Sequence, residues 1–362
     1  MSTMFDYAVY IGRFQPFHNG HLHVVREGLL RANHLIIIIG SAHQSRSVRN
    51  PWTSSERELM LRECLTDDEN NRVICIHLKD TPYDDTRWVA NIKGAVNGVI
   101  FDNFANTTRC MLLKRGMDTA PTSTVAIIGC NKDQTSFYLR LFKQWVNIDI
   151  DNVNDINATD IRTAFYLDGY KSIVTAVRDN LIPSGVAEYL TFYLTNAVYS
   201  DLHNEFKFVT KYRESWAAAP YSPTFTTVDC VLVKEGSLLL IRRKDYPGKD
   251  LLALPGGFIN PDERLVDACV RELREETNIN LSDDELKARI SRRAVYDDPH
   301  RSARGRTITH GFLINLDDVI GFPTITAGDD AKEAAWYPIN KLSASEMYED
   351  HYFIIIDMLE NY

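Results

Sequence analysis

The fold of the amino-terminal half is decided by residues 7–21, which read YAVYIGRFQPFHNGH. An apolar run of strand length ends at Gly12, and apolar residues recur with helical spacing from His21 onward. A glycine between a strand and a helix lets an anion approach the backbone, where the first helical turn offers free amide donors and the positive end of a dipole. The stretch therefore predicts a strand, an anion-binding turn and a helix, in that order.

The segments that follow continue this alternation of strand and helix. Residues 35–40 are apolar without a polar face, as expected for a parallel strand that is covered on both sides. Further strand candidates, separated by segments of helix length, are residues 73–78, 125–129 and 148–153. The alternation predicts an α/β domain with a doubly wound, Rossmann-like parallel sheet and with ligands at the carboxyl ends of its strands.

The pattern changes near Pro183, and the stretch AAAPYSP further along is typical of a domain boundary. The chain is predicted to divide into a domain at residues 1–183, a helical segment and linker at 184–219, and a domain at 220–362. The last part shows a strand hairpin, a helix, later strands and a final helix, near residues 226–234, 238–243, 264–277, 307–315 and 346–359. This order predicts an α+β domain with a mixed sheet sandwiched by helices.

The composition is that of an ordinary globular protein. Of 362 residues, 44% are hydrophobic and 25% are charged, and no stretch approaches the ~20 uninterrupted apolar residues of a membrane span. The formal net charge of −9 disfavours extensive binding to nucleic acid. No secretory signal is readable, and the six cysteines are scattered, which favours a cytoplasmic protein with free thiols. The sequence leaves the oligomeric state open, a homo-oligomer included.

The turn after the first predicted strand carries side chains suited to phosphate chemistry. His18 and His21 are three residues apart, so they share one face of a helix that begins there, and both can donate hydrogen bonds to phosphate oxygens. Arg13 adds a positive charge. Attack on the α-phosphate of a nucleoside triphosphate needs neutralised charge and in-line positioning more than it needs covalent help. These three side chains meet that need.

With its flanking residues this turn resembles the nucleotidylyltransferase superfamily, whose members carry a His-x-Gly-His motif. Residues 157–162, NATDIR, look like the superfamily's second phosphate-binding motif, which implies that Thr159 and Arg162 contact the β- and γ-phosphates. Further segments make the resemblance specific to nicotinamide mononucleotide (NMN) adenylyltransferases of the archaeal type. They lie within residues 40–42, 50–57, 83–88 and 129–138.

This resemblance implies a reaction and its ligands. The 5′-phosphate of NMN attacks the α-phosphate of ATP to give NAD and pyrophosphate, with Mg²⁺ bridging the triphosphate. Trp88 either stacks on the nicotinamide ring or belongs to the core, and Arg46 is either a phosphate contact or a solvated residue. Stabilisation of charge is assigned to His18, His21, Arg13 and Arg162. The residues expected near the nucleotides are Gly12, Phe14, Gly40, Asn131, Lys132 and Asp133.

A second pattern of phosphate chemistry begins at Gly257. Glu263 follows after five intervening residues, and the run RELREE starts after seven more. On a helix, Glu272, Glu275 and Glu276 fall at positions i, i+3 and i+4, so three carboxylates share one face. Such like charges repel one another, and divalent cations would relieve the repulsion.

Residues 257–279 resemble the Nudix box, the signature of the Nudix hydrolases. The resemblance implies that Mg²⁺ or Mn²⁺ is bound by Glu272, Glu275 and Glu276, that Glu276 takes part in catalysis, and that Arg271 and Glu263 brace the loop and helix. Asn278 stands where the box has its second glycine. If the helix ends there in a left-handed conformation, asparagine is the next best residue.

The segment after the box indicates a substrate. Residues 297–307 look like the corresponding segment of ADP-ribose pyrophosphatases, which split ADP-ribose into AMP and ribose 5-phosphate. This likeness implies that Arg301 contacts the substrate. In this family the catalytic base often comes from a late loop, and Glu333 is the candidate, with a solvated acidic turn as the equal alternative.

Over nearly the whole chain, the motifs together resemble the bifunctional NMN adenylyltransferase/Nudix hydrolases, which implies ATP, NMN, NAD and ADP-ribose as ligands. Two alternatives stay open. In the first, the Nudix half is a nonhydrolytic sensor of ADP-ribose or NAD, and the three glutamates of the box argue against it. In the second, the adenylyl acceptor is another molecule such as pantetheine phosphate, which Trp88 and residues 131–133 disfavour.

Overall fold

The structure, a computed structural model, describes residues 4–112, 123–130, 138–152, 155–328 and 331–360, with the backbone alone at 104–112. The chain divides into two compact units. The first is Met1–His43 with Asn50–Tyr199, and the second is Gln44–Arg49 with Ser200–Tyr362. Within the described ranges, no helix combines the length and the apolar character needed to cross a membrane.

The first unit is built on a parallel sheet. Its strands are β1 (Phe5–Gly12), β2 (Ala32–Ile39), β3 (Val73–His77), β4 (Val125–Gly129) and β5 (Val146–Asp149). Their order is β3-β2-β1-β4-β5, and each neighbouring pair runs parallel. The winding reverses between β1 and β4, which is where ligands bind in doubly wound sheets. The α/β fold predicted from the sequence is confirmed.

Successive residues of β1 face two different cores, because side chains alternate along a strand. Ala8 and Tyr10 belong to one apolar cluster, whereas Tyr7, Val9 and Ile11 belong to another. The same alternation divides the isoleucines of β2 between the two clusters. Burial on both faces explains why these strands show no polar face in the sequence.

Helices cover the two faces of this sheet. They are α1 (Asn19–Arg31), α2 (Ser54–Arg62), α3 (Asp67–Arg72), α4 (Asp85–Leu112), α5 (Ala158–Asp168), α6 (Tyr170–Arg178) and α7 (Ser184–Tyr193), and α8 (Ala197–Glu214) follows them along the chain. The division of the chain falls within α8. One strand boundary was predicted wrongly, because β5 begins at Val146 and ends at Asp149, whereas the sequence favoured residues 148–153. β5 is an exposed edge strand, so apolar residues do not mark its ends.

The second unit contains a mixed sheet. Its strands are β6 (Thr224–Lys234), β7 (Ser237–Arg243), β8 (Leu252–Ala253), β9 (Gly256–Phe258), β10 (Ile290–Tyr296), β11 (Arg306–Asn315) and β12 (Ala331–Pro338). β11 and β6 run parallel, and the other pairs run antiparallel. The helices are α9 (Leu265–Thr277), α10 (Asp283–Ala288) and α11 (His351–Leu359). The predicted α+β domain is confirmed.

The predicted hairpin joins β6 to β7 through Glu235 and Gly236, both with positive φ, as a two-residue turn between twisted strands requires. The expected late loop around Glu333 was wrong, because Glu333 lies within β12, opposite Arg242 of β7. The acidic residues near Glu333 suggested a loop, but the apolar run that follows continues the pairing with β7. The last helix begins at His351, five residues later than predicted.

Gly256 is required where β9 lies beside β6. A Cβ atom at this position would lie 2.1 Å from the carbonyl oxygen of Val228 and 2.9 Å from Oδ1 of Asp229. Gly256→Ala is therefore expected to lower the free energy of unfolding by about 1–3 kcal/mol, the usual cost of overpacking. Denaturant unfolding of the full chain measures this change.

Gly94→Ala is the control, because among the described residues nothing lies within 4 Å of a Cβ atom built on Gly94 in α4. This change should leave the stability unchanged or raise it by up to about 1 kcal/mol. An equal loss of stability in both variants would contradict the packing argument.

Candidate active sites

His18 ends the turn after β1 and caps α1. Its backbone is extended, with φ −146° and ψ 171°, and its Nδ1 accepts a hydrogen bond of 3.3 Å from the backbone N–H of His21. The His18 and His21 rings stack with centroids 3.6 Å apart, and the His18 side chain is buried. Because Nδ1 of His18 accepts, the proton of its neutral ring lies on Nε2, where it can be donated to an anion.

Helix α5 carries the second predicted phosphate motif to the same turn. The helix is capped by Asn157, whose Oδ1 accepts from the Thr159 backbone N–H at 2.8 Å. Arg162 is buried, and its guanidinium donates to the carbonyl oxygen of Gln15 and to Oγ1 of Thr159. The structure therefore brings Thr159 and Arg162 to the β1–α1 turn.

Positive charge is concentrated at this edge of the sheet. Burial, together with the charge of nearby Arg13, lowers the pKa of Arg162 to about 10. Burial also lowers the pKa of Arg57 to about 10, and Arg13 adds to that effect while Asp80 opposes it. Guanidinium groups that disfavour one another's charge in a buried setting are stabilised by an anion. The arrangement suits a polyphosphate.

The glycines at the strand ends serve close packing of the backbone. The Gly40 N–H donates to the carbonyl oxygen of Gly12 at 2.9 Å, which joins the carboxyl ends of β2 and β1. A Cβ atom on Gly12 would lie 2.7 Å from the ring of Phe14. Phe14 is buried at φ 54°, and its ring packs edge-on against Tyr10. Phe14 therefore packs under the turn and stabilises it.

Trp88, which was also predicted for the first site, lies among apolar side chains. The ring of Trp88 packs against Tyr138 and Phe142 in an apolar cluster, at centroid distances of 6.1 and 6.0 Å. Arg46 lies in the segment Gln44–Arg49, which groups with the second unit. The predicted ligands Asn131, Lys132 and Asp133 lie outside the described residues.

Two polar residues shape the first site through contacts that the sequence did not predict; Arg57 was noted only as part of the matching segment 50–57, and Asp80 was not noted. Asp80 accepts from the backbone N–H and from Oγ of Ser41, at 2.9 and 2.6 Å. Arg57 donates to the carbonyl oxygens of Arg13, Gly40 and Ser41. The sequence gives no local signal for these contacts, because the partners lie 16 to 44 residues away.

In the second unit, the predicted brace of the Nudix-like loop is present. Arg271 binds Glu263 through two hydrogen bonds, Nε to Oε1 at 2.8 Å and Nη2 to Oε2 at 2.9 Å. Nη2 also donates to the carbonyl oxygen of Phe258 at 3.1 Å. These bonds tie the first part of the loop to α9.

The three predicted metal ligands differ in their surroundings. Glu272 and Glu275 each accept from Nη1 of Arg271 at 2.8 Å, and the Glu275 side chain is 56% exposed. The Glu272 carboxylate lies against Gly257, where a Cβ atom would be 2.7 Å away. Glu276 is buried, and its Oε2 accepts from the Gly256 N–H at 2.9 Å. Burial raises the pKa of Glu276 to about 8, and Glu272 and Asp229 add to the shift, whereas the Gly256 N–H and Arg243 oppose it.

The donor set fits a divalent cation in its chemistry. Glu272 and Glu276 are carboxylates on one helix face, and Glu272 makes ionisation of Glu276 less favourable, as Glu275 does for Glu272. Oxygen ligands of this kind are those that Mg²⁺ and Mn²⁺ prefer. In the part of the chain that the structure describes, no group of three or more His, Cys, Asp or Glu side chains already has metal-holding geometry. Arg271 holds two of the three carboxylates instead.

Two residues predicted for substrate chemistry have other partners here. Arg301 is buried and forms a two-pronged ion pair with Asp350, with both N–O distances 2.9 Å. Glu333 is exposed, and its only partner among the described residues is Arg242, at 3.2 Å. Contact of Arg301 with the substrate and the catalytic role of Glu333 stay predictions.

Arg304 is a residue that sequence reasoning passed over in favour of Arg301. Its guanidinium lies over the ring of Phe258, 4.7 Å from the centroid. Its buried Nε has no hydrogen-bond partner among the described residues. The sequence pattern of residues 297–307 contains several arginines, and only the fold distinguishes the one bound by Asp350 from the one stacked on Phe258.

His351 supports the loop that precedes α9. Its Nδ1 accepts from the Leu254 N–H at 2.9 Å, and its Nε2 lies 3.8 Å from Oδ1 of Asp229. Burial lowers the pKa of His351 to about 3. The ring is therefore neutral at physiological pH, as its role as hydrogen-bond acceptor requires.

These two arrangements define a protein with one nucleotidylyltransferase-like unit and one Nudix unit. The cytidylyltransferase-like family model matches residues 9–164, and the NUDIX domain model matches residues 223–358. The chain is 29% identical over 204 residues to a nicotinamide/nicotinic acid mononucleotide adenylyltransferase of Acinetobacter baylyi, covering 56% of this chain and 94% of that protein. It is 39% identical over 132 residues to an ADP-ribose pyrophosphatase of Methanocaldococcus jannaschii, covering 36% of this chain and 71% of that protein.

A solved structure resembles the chain over both units. The crystal structure of a bifunctional NMN adenylyltransferase/ADP-ribose pyrophosphatase from Francisella tularensis has 34% sequence identity and covers 99% of each chain, with a TM-score of 0.85. A second structure from that organism, in complex with AMP and a manganese ion, gives a TM-score of 0.84 at the same identity and coverage. The chain belongs to the family of the bifunctional NMN adenylyltransferase/ADP-ribose pyrophosphatases. The family predicted from the sequence is confirmed.

Asn278 is expected to replace the glycine of the box at little cost. It ends α9 in the left-handed conformation, with φ 44° and ψ 35°, and its Nδ2 donates to the Thr326 carbonyl oxygen at 3.2 Å. Asn278→Gly should change the free energy of unfolding by less than about 1 kcal/mol, whereas Asn278→Ala should lower it by about 1–2 kcal/mol. Denaturant unfolding measures both values. Equal stabilities of the two variants would contradict this explanation.

The neutral state of His351 predicts a loss of stability in acid. A histidine whose pKa is lowered on folding stabilises the protein above its ordinary value of 6.5, and this stability is lost as the pH falls from 6.5 towards 3. The loss approaches about 5 kcal/mol at most. His351→Gln should make the free energy of unfolding less dependent on pH between 6.5 and 3, because glutamine can accept a hydrogen bond from the Leu254 N–H without titrating.

The measurement is the unfolding free energy of wild type and variant between pH 7 and pH 3. His203→Gln on α8 is the control, since the pKa of His203 is lowered by burial and by Lys207 without a comparable role in a loop. If the acid slope persisted unchanged in His351→Gln, the assignment of this slope to His351 would be wrong.

Proposed function

We propose that the protein catalyses two reactions of NAD metabolism, one in each unit. Residues 1–183 transfer the adenylyl group of ATP to NMN and form NAD and pyrophosphate, and residues 220–362 hydrolyse ADP-ribose to AMP and ribose 5-phosphate. Residues 184–219 are the helical segment and linker. The named activities of relatives that align with each half of the chain support the proposal.

The adenylyl transfer is carried by one observation, the convergence of Arg13, Arg162 and the stacked pair His18 and His21 on the turn after β1. A phosphate oxygen of NMN forms the new bond to the α-phosphorus of ATP, and the bond from that phosphorus to the bridging oxygen breaks as pyrophosphate leaves. Positive charge at this edge stabilises the negative charge that shifts to the leaving group. His18 would donate through Nε2 to a phosphoryl oxygen.

Other residues of the first site hold the triphosphate. Arg162 and Thr159 are adjacent on α5 and would bind the terminal phosphates. Gly12 and Gly40 would let the ligand approach the backbone where β1 and β2 end. Mg²⁺ is proposed to accompany the triphosphate. Trp88, Arg46 and residues 131–133 remain candidate ligands on the resemblance alone.

The hydrolysis of ADP-ribose is carried by the buried carboxylate of Glu276 beside Glu272. Burial and the neighbouring Glu272 disfavour the ionised form of Glu276, whereas a bound cation would favour it, and the ionised carboxylate can accept a proton from an attacking water. The Gly256 N–H binds Oε2 of Glu276 and fixes the direction of the group. Glu333 is the alternative base, although its ion pair with Arg242 disfavours it.

The cation of the second site would be held by Glu272, Glu275 and Glu276. When bound, Mg²⁺ or Mn²⁺ neutralises charge on the diphosphate and favours ionisation of water. Arg271 orients two of these carboxylates through Nη1 and keeps the loop attached through Glu263. The chain therefore supplies both the ligands and the brace that holds them on one helix face.

Separate sites predict separate losses of activity. His18→Asn keeps a side-chain oxygen that can cap α1 but removes the imidazole, so NAD synthesis should fall by about 100-fold or more while hydrolysis of ADP-ribose stays unchanged. Glu276→Gln removes the carboxylate that would bind the cation and accept a proton, so hydrolysis of ADP-ribose should fall by about 100-fold or more while NAD synthesis stays unchanged. Chromatography of the products of both reactions, made by the same protein preparation, measures the two rates.

Thermal unfolding of each variant shows that the protein is folded. If either change eliminated both reactions in folded protein, the two-site account would be wrong. If Glu276→Gln left ADP-ribose hydrolysis at the wild-type rate, the role of Glu276 would be rejected.

A further inference from the structure

The side chain of Arg57 is fully buried in the first unit, with 1% of its surface exposed. It follows the capping box of α2, in which Thr53 and Glu56 bind each other's backbone N–H groups. Its Nε donates to the Thr53 carbonyl oxygen at 3.2 Å, so the guanidinium is held at the start of the helix. Helix α2 therefore holds the Arg57 guanidinium in a fixed position near the strand ends of the first site.

The rest of the Arg57 guanidinium joins two other segments. Nη1 donates to the carbonyl oxygen of Arg13 and, at 2.7 Å, to that of Gly40, while Nη2 donates to that of Ser41 at 3.1 Å. Arg13 follows β1 and Gly40 follows β2, so both acceptors lie where the strands end. Among the described residues, every hydrogen-bond partner of Arg57 is a backbone carbonyl.

Only arginine can make this set of contacts. Its planar fork reaches acceptors on three segments at once, whereas a lysine ammonium is a single point of donation. Ser41 lies at φ 48°, a strained conformation held from its other side by Asp80. The loop after β2 is thus fastened between Asp80 and Arg57.

The hydrogen bonds of Arg57 hold the backbone of Arg13, a residue proposed to contact ATP. The carbonyl of Arg13 is fixed by Arg57, and the backbone around Arg13 determines where its side chain points. We infer that Arg57 is a positioning residue for adenylyl transfer, which sets the affinity for ATP by holding the turn of Arg13 against the end of β2 without touching the substrate. The inference rests on the adenylyl transfer proposed above.

Arg72 offers a matched control within the same unit. Like Arg57, which donates to four backbone carbonyls, it donates to several, those of Leu29, Ala32 and Asn33. These acceptors lie at the end of α1 and the start of β2, which is the edge of the sheet away from the phosphate-binding turns. A general loss of packing should therefore follow from changes at either arginine, whereas a loss of ATP affinity should follow from changes at Arg57 alone.

The test compares Arg57→Met, Arg57→Lys and Arg72→Met in the full chain. Initial rates of NAD formation give kcat and the KM values for ATP and for NMN, and the rate of ADP-ribose hydrolysis in the same preparation gives an independent measure of active protein. Arg57→Met should raise the KM for ATP by about tenfold or more and change the KM for NMN by less than about twofold. Arg57→Lys should lie between wild type and Arg57→Met.

Arg72→Met should lower the midpoint of thermal unfolding and leave the KM for ATP unchanged. The inference is overturned if Arg57→Met leaves the KM for ATP unchanged and lowers only kcat or the amount of active protein, or if Arg72→Met raises the KM for ATP equally. If Arg57→Met does not fold, the KM for ATP of Arg57→Lys decides: an increase supports the inference, and the wild-type value rejects it. A wild-type protein that forms no NAD would instead reject the proposed function.

Discussion

Ionisable side chains that are buried at the two sites constrain both units. In the first, Arg162 and Arg57 lie out of water with lowered pKa values, and backbone carbonyls satisfy most of their donors. In the second, Glu276 is a carboxylate whose pKa is raised by burial. Buried charge is costly unless it is hydrogen-bonded and balanced. Each site therefore has a surplus of one sign, and a ligand of the opposite sign restores the balance.

The two surpluses have opposite signs because the two reactions handle phosphate differently. The first site gathers arginine and histidine side chains that can contact the triphosphate directly. The second gathers carboxylates, which repel a diphosphate and so require a cation between themselves and the substrate. At each site a side chain packs directly on a glycine that has no room for a Cβ atom: Phe14 packs on Gly12, and Glu272 packs on Gly257. This division of charge explains how one chain with a net charge of −9 can hold two sites for anionic ligands.

The sequence was sufficient to predict the features that depend on local spacing. The apolar strands, the turn containing His18 and the i, i+3, i+4 glutamates of α9 are patterns within a few residues, and the structure contains them. Even the left-handed end of α9 at Asn278 could be anticipated, because the box locates it. The sequence could not predict which residues far apart in the chain contact one another. Asp350 binds Arg301, and β7 pairs with the segment that carries Glu333, so the predicted substrate contact and the predicted base both have structural partners. The contacts of Asp80 and Arg57 are equally non-local.

The most direct measurement of the central claim is a competition experiment on the wild-type protein. NMN and ATP are supplied with Mg²⁺, with and without saturating ADP-ribose, and all products are resolved by chromatography. If the units carry independent sites, NAD and pyrophosphate form at the same rate in both mixtures, while AMP and ribose 5-phosphate appear only when ADP-ribose is present. Suppression of NAD formation in proportion to the ADP-ribose consumed would show a single shared site and contradict the account.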